Sequence, residues 1–133
     1  MPFVIDASVV VAWAFQERQD LAERILATAQ TEAMRAPALW WYELRNVLIM
    51  GERRGRITEQ QITSFLREVS HLAITMDLSP DDTALLTLSR RHRLTVYDAA
   101  YLELALREAL PLATLDAQLA VAARSETVPL IGD

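Results

Sequence analysis

Short dense apolar runs alternate along the chain with apolar stripes of helical period. Phe3-Val4-Ile5 is a continuous apolar run, the pattern of a strand buried on both faces. Helical patterning follows over 7–15 and over 18–30, where Leu21, Ile25, Leu26 and Ala29 recur at helical spacing. A short strand is expected at 34–36. Pro37 suits the first turn of a helix running to residue 53, with Gly51 and Gly55 marking its end. Thr58 and Gln61 have capping-box spacing and open a helix to residue 70, whose core face is Ile62, Phe65, Leu66 and Val69.

The next strand is expected at 72–76. Ser79-Pro80-Asp81-Asp82 reads as a helix start: a cap, a proline in the first turn, then acids. That helix runs to 91, and another from 95–97 to 108. A strand at 111–113, a helix at 116–124 and a strand at 128–131 complete the chain. Strands alternating with helices predict an α/β fold: a short central parallel sheet covered by helices on both faces, in one domain over 1–133. In such sheets ligands bind at the carboxyl ends of the strands. Asp6 lies at one such end, and Asp116 follows another.

Composition narrows the chemistry. The absence of cysteine excludes disulfides, zinc–thiolate sites and a thiol nucleophile. Only three glycines occur, which excludes a glycine-rich phosphate loop. The start of the chain has no basic stretch, and no apolar run approaches the ~18 residues that span a bilayer, so a cytoplasmic protein free of membranes is expected. A net charge of −5 argues against simple nucleic-acid binding. The objection weakens if several acids hold divalent cations, because a charge-compensated site attracts phosphate.

Most of the 18 acids suit solvated helix faces. Four sit differently. Asp6 ends a buried strand; it reads either as a helix cap, a role Ser8 could share, or as a metal ligand. Glu43 lies inside a helix on a face shared with Trp40, Val47 and Met50, with Asn46 one turn away. It reads either as functional or as half of a salt bridge with Arg24 or with Arg45 of another subunit. Asp98 follows Thr95 at capping-box spacing, on a face with Tyr101, Leu102 and Ala105. Asp116 follows Ala113-Thr114-Leu115 and could be a plain cap. Glu103 reads as solvated. Together, two of the four follow predicted parallel strands and two lie on apolar helix faces, so all can converge at one sheet edge. Clustered carboxylates repel without a cation. An oxygen-only ligand set favours Mg²⁺ or Mn²⁺ over zinc. His71 and His92 read as surface residues and offer no serine–histidine alternative.

Four motifs stand in order across nearly the whole chain: Val4-Ile5-Asp6-Ala7-Ser8, Glu43-x-x-Asn46, Tyr97-Asp98-Ala99-Ala100-Tyr101 with Leu104-Ala105, and Ala113-Thr114-Leu115-Asp116. They resemble the PIN-domain family, and within it the VapC-type toxins of bacterial toxin–antitoxin pairs. The resemblance implies a three-layer α/β/α fold and a Mg²⁺- or Mn²⁺-dependent endoribonuclease that hydrolyses RNA with metal-activated water. It implies a homodimer inhibited by a VapB-type antitoxin, whose tail lies across the active site in a higher assembly and whose other end meets DNA. Asp6, Glu43, Asp98 and Asp116 match the acidic quartet; Ser8, Asn46 and Thr114 match the supporting polar positions.

The alternatives are a PIN nuclease of RNA processing without an antitoxin, and a non-catalytic binding module. Arg53, Arg54 and Arg56 form one basic group, and Arg90, Arg91, His92 and Arg93 another. Each reads as a complement to a helix carboxyl end or as an RNA contact. Arg45 could meet an antitoxin carboxylate. Trp13, Trp40 and Trp41 read as packing residues or as platforms for an unpaired base.

Overall fold

Strand β1 (Phe3–Ile5) has every residue 0% exposed. Successive side chains of a strand point to opposite faces, so helices cover both sides of it. The computed structural model describes residues 1–17 and 20–132. Their order is β1, α1 (Ala7–Ala14), α2 (Asp20–Ala29), β2 (Met34–Pro37), α3 (Leu39–Arg53), α4 (Glu59–Ser70), β3 (Ile74–Asp77), α5 (Asp82–His92), α6 (Val96–Glu108), β4 (Leu112–Ala113) and α7 (Ala117–Ser125). The four strands form a parallel sheet in the order β3-β2-β1-β4, with Phe3 opposite Met34 and Ile5 opposite Ala113. The expected three-layer α/β/α arrangement is therefore present, with β1 inside the sheet. Its carboxyl end presents Asp6.

Helix α6 is the buried one. Seven consecutive residues, Ala99 to Ala105, are inaccessible or nearly so, as expected of a helix packed on all sides. It packs against β1 and β2 and brings its first turn to the end of the sheet that carries Asp6. Helix α3 packs on β2 and α1. Gly51 lies inside α3: a Cβ there would stand 2.6 Å from the Phe15 ring, so the glycine admits the end of α1.

Several boundaries differ from the sequence expectation. Pro37 closes β2 instead of opening α3, at a strand end where its missing N–H removes little. Strand β3 starts at Ile74 because Leu72 is used in the turn leaving α4, where its N–H meets the Val69 carbonyl. Asp81, not Ser79, caps α5, accepting from the Ala84 N–H at 2.8 Å. The strand expected at 128–131 reduces to a single bridge between Leu130 and Leu112; β4 is only two residues long, and Gly132 then turns the chain at a φ of +90°. The capping box of α4 forms in full between Thr58 and Gln61. Its core face does not: Val69 alone is buried, while Ile62, Phe65 and Leu66 are half-buried, and Phe65 lines an open groove between α2 and α4. The expected start of α2 at Arg18 and Gln19 lies outside the described residues.

Candidate active site

Asp6 stands at the N-cap position of α1, yet its carboxylate makes no capping hydrogen bond. It takes two hydroxyl donors instead. Ser8 Oγ donates to Oδ2 at 2.6 Å, and Thr114 Oγ1 donates to the same oxygen at 2.7 Å. Both hydroxyls are themselves fixed from the link between β4 and α7: the Leu115 N–H donates to Ser8 Oγ and the Asp116 N–H to Thr114 Oγ1, each at 3.0 Å. Neither Asp6 nor Ser8 caps the helix, contrary to the simpler sequence reading. No donor among the described residues engages Asp6 Oδ1. An ordinary cap would not be 6% exposed with one oxygen left over. Burial pushes the Asp6 carboxyl up, against the pull of Ser8 and Thr114, and the charges of Asp98 and Asp116 push it further.

The other three acids share this field. Burial raises the Glu43 carboxyl, with Asp6 and Asp98 adding to the rise while Tyr101 opposes it. Among the described residues no arginine pairs with Glu43. Tyr101, on α6, donates its hydroxyl to Oε1 at 2.5 Å. Asp98 is half-buried and raised by burial and then by Asp116, and its own N–H donates to Thr95 Oγ1 at 3.1 Å. Half of the expected capping box thus exists, with the hydroxyl of Thr95 as the cap. Asp116 is a true N-cap: Oδ1 accepts from the N–H groups of Gln118 and Leu119, at 2.8 and 3.1 Å. Asn46 is exposed one turn beyond Glu43.

Asp6 feels the charges of Asp98 and Asp116, Glu43 those of Asp6 and Asp98, so the four acids form one electrostatic group, carried by the end of β1, the N-cap of α7, the middle of α3 and the first turn of α6. Among the described residues no three of them stand at the spacing of a ready-made ion cage; mutual repulsion keeps carboxylates apart. The donor set is nevertheless all hard oxygen, with buried or half-buried carboxyls that a divalent cation would favour in ionised form, and so fits Mg²⁺ or Mn²⁺.

The profile of the PIN domain matches residues 3–125. This chain belongs to the PIN-domain family. Ribonuclease VapC3 of Pyrobaculum aerophilum is 35% identical over 124 residues, covering 90% of this chain and 93% of that protein. The crystal structure of PAE2754, also from Pyrobaculum aerophilum, superposes with a TM-score of 0.71 at 23% identity, over 92% of this chain and 84% of that one, and shares its fold. Within the family the chain is of VapC type.

The remaining candidates of this PIN domain sort away from the acids. Glu103, expected to be solvated, is 2% exposed and is gripped by Arg107 at 2.8 and 3.0 Å, while the same guanidinium holds Asp77 at 2.6 Å. Trp40 is buried, and Trp13 donates its indole N–H to the Ala22 carbonyl, so both are packing residues. Trp41 is exposed, but the Arg45 guanidinium lies 3.6 Å over its ring. His92 is not at the surface; with Arg91 it meets the Glu126 carboxylate, at 2.6 and 2.7 Å. Arg53 leans on the Met50 sulfur and Arg56 on the Phe15 ring. Tyr101 was not singled out for chemistry in the sequence. The signal was present: a tyrosine among inward-facing alanines and leucines needs a partner for its hydroxyl.

Proposed function

We propose that this PIN domain is a Mg²⁺- or Mn²⁺-dependent endoribonuclease and the toxin of a toxin–antitoxin pair, acting in the cytoplasm. One observation carries the reading: Asp6 occupies a cap position without capping, and two hydroxyls hold one of its oxygens while the other stays free of donors. That arrangement costs stability as a fold device and makes sense as a ligand set. The 35% identity to a VapC-type ribonuclease supports RNA as the substrate.

Asp6, Glu43, Asp98 and Asp116 would hold the ion. When bound, it supplies Lewis acidity to a phosphate oxygen and lowers the pKa of water. The chain's own polar groups do the rest. Ser8 and Thr114 fix Asp6 Oδ2. The first turn of α7 fixes Asp116 Oδ1. The amide of exposed Asn46 is available to a phosphodiester oxygen beside Glu43.

Two surfaces support partners. Tyr42 and Ile49 stand two turns apart on the outer side of α3, 71% and 38% exposed; this apolar pair suits a homodimer. The groove between α2 and α4, with Leu26, Ile57, Phe65 and Leu72 in its wall, suits an apolar segment of a VapB-type antitoxin. Ile49→Glu should shift the protein from dimer to monomer in sedimentation; a wild-type monomer contradicts the dimer. Expression alone in a bacterial host should arrest growth, and a co-expressed antitoxin should relieve it. Cleavage of RNA without growth arrest would favour a PIN nuclease of RNA processing.

A further inference from the structure

Tyr101 does more than fill the core. Its ring is 0% exposed on the helix that also carries Asp98, one turn earlier. Its hydroxyl crosses to α3 and ends on Glu43 Oε1 at 2.5 Å, between residues 58 positions apart. A phenol sealed in a protein interior needs an acceptor. Many acceptors would satisfy it; this one belongs to the acidic quartet. The bond also has a direction. Tyrosine donates, so it engages one carboxylate oxygen, and no donor among the described residues engages Oε2. Without this contact Glu43 would keep the rotamer freedom of an unpaired glutamate on a half-exposed helix face. The pattern repeats that of Asp6, where neutral hydroxyls hold one oxygen and leave the other. A neutral donor suits this role better than arginine, because it orients a carboxylate without cancelling the charge that a cation needs.

We infer that Tyr101 is a positioning residue for Glu43: its buried hydroxyl holds Oε1 and thereby presents Oε2 to a divalent cation. The inference rests on the metal-dependent reading above. It assigns no contact between Tyr101 and the substrate, and it links α3 to α6 across the site.

Tyr101→Phe removes the hydroxyl and keeps the ring. Mn²⁺ affinity by calorimetry should fall about 10-fold, the lower end of what a lost outer-shell partner costs, with RNA cleavage falling in parallel. In a Glu43→Gln background the same change should have no further effect on Mn²⁺ affinity, since Tyr101 acts only through Glu43; a purely structural role would weaken both backgrounds alike. NMR of the unaltered protein keeps the inference testable should the Phe variant unfold. The Tyr101 hydroxyl proton should exchange slowly and show a contact to the Glu43 side chain, and Glu43→Gln should abolish or shift it. Equal Mn²⁺ affinity in Tyr101→Phe and wild type, additive loss in the double variant, or a fast-exchanging hydroxyl proton overturns the inference alone. A wild-type protein that binds no Mn²⁺ overturns the metal-dependent reading beneath it as well.

Discussion

Asp6 is where stability and function part. A carboxylate at a buried strand end is expensive, and its two hydroxyl partners offset only part of the desolvation. Asp6→Asn removes the charge while an amide oxygen can still accept from Ser8 and Thr114. In excess chelator at neutral pH the variant should melt higher, by about 4 °C for roughly 1 kcal/mol in a domain of this size. Circular dichroism melting checks this, and a lower melting temperature would mean that Asp6 serves the fold. The type and spacing of this residue were legible in the sequence; its state was not. A cap and a ligand have the same neighbours in the chain, and only Thr114, 108 residues away, distinguishes them. For Glu43 the sequence left two readings open, a functional carboxylate or half of a salt bridge with an arginine, because a buried carboxylate usually brings a cation. The actual donor is a tyrosine from a helix whose placement is a tertiary fact.

Helix α6 carries both a site residue and a polar network centred on Arg107. Arg107 ties Glu103 on α6 to Asp77 at the end of β3, and Arg35 from β2 approaches Asp77 at 3.7 Å. The guanidinium holds the Asp77 carboxyl below its usual range. Arg107→Met should leave Glu103 buried without its cation and Asp77 with only the more distant Arg35, at a cost of about 3 kcal/mol, read as the shift of the urea midpoint. A loss under 1 kcal/mol would show that the network is merely solvent-screened surface charge. The core strands β1 and β2, the capping box of α4 and the span of helix α6 could be read from periodicity and caps. Less legible were the strand at 128–131 and the core face of α4. Periodicity says which residues are apolar, not whether a partner strand is long enough to pair or another element arrives to cover them. Glu103 was misread for a related reason: α6 is buried all round, so its wheel has no solvent side.

For the whole molecule, two sets of acids pull stability in opposite directions with pH. Asp6, Glu43 and Asp98 have raised folded values, so the folded chain holds more protons than the unfolded chain as pH rises from 3.8 and 4.5, the ordinary values of Asp and Glu. Stability from this set therefore falls as pH rises through that window and stays reduced above it. Asp77 and Glu126 have lowered values, through Arg107 for the first and Arg91 with His92 for the second. Their stabilisation is present above the ordinary values and is lost as pH falls toward the folded ones. In chelator the melting temperature should accordingly be higher near pH 5 than near pH 7.5, and should drop again in stronger acid. Mn²⁺ should reverse the first trend, because an ion binds the ionised cluster and its stabilisation grows as protons leave. A melting temperature in chelator that climbs from pH 5 to 7.5 would contradict a repelling carboxylate cluster.

RNA cleavage by purified wild-type protein and Asp6→Asn, in Mg²⁺ and in excess EDTA, decides whether these four acids form the metal-dependent catalytic site of a ribonuclease. Cleavage by the wild type in Mg²⁺, abolished by EDTA and at least about 100-fold slower in the folded Asp6→Asn protein, is the predicted result. Cleavage that persists in EDTA, or that Asp6→Asn leaves unchanged, would contradict it.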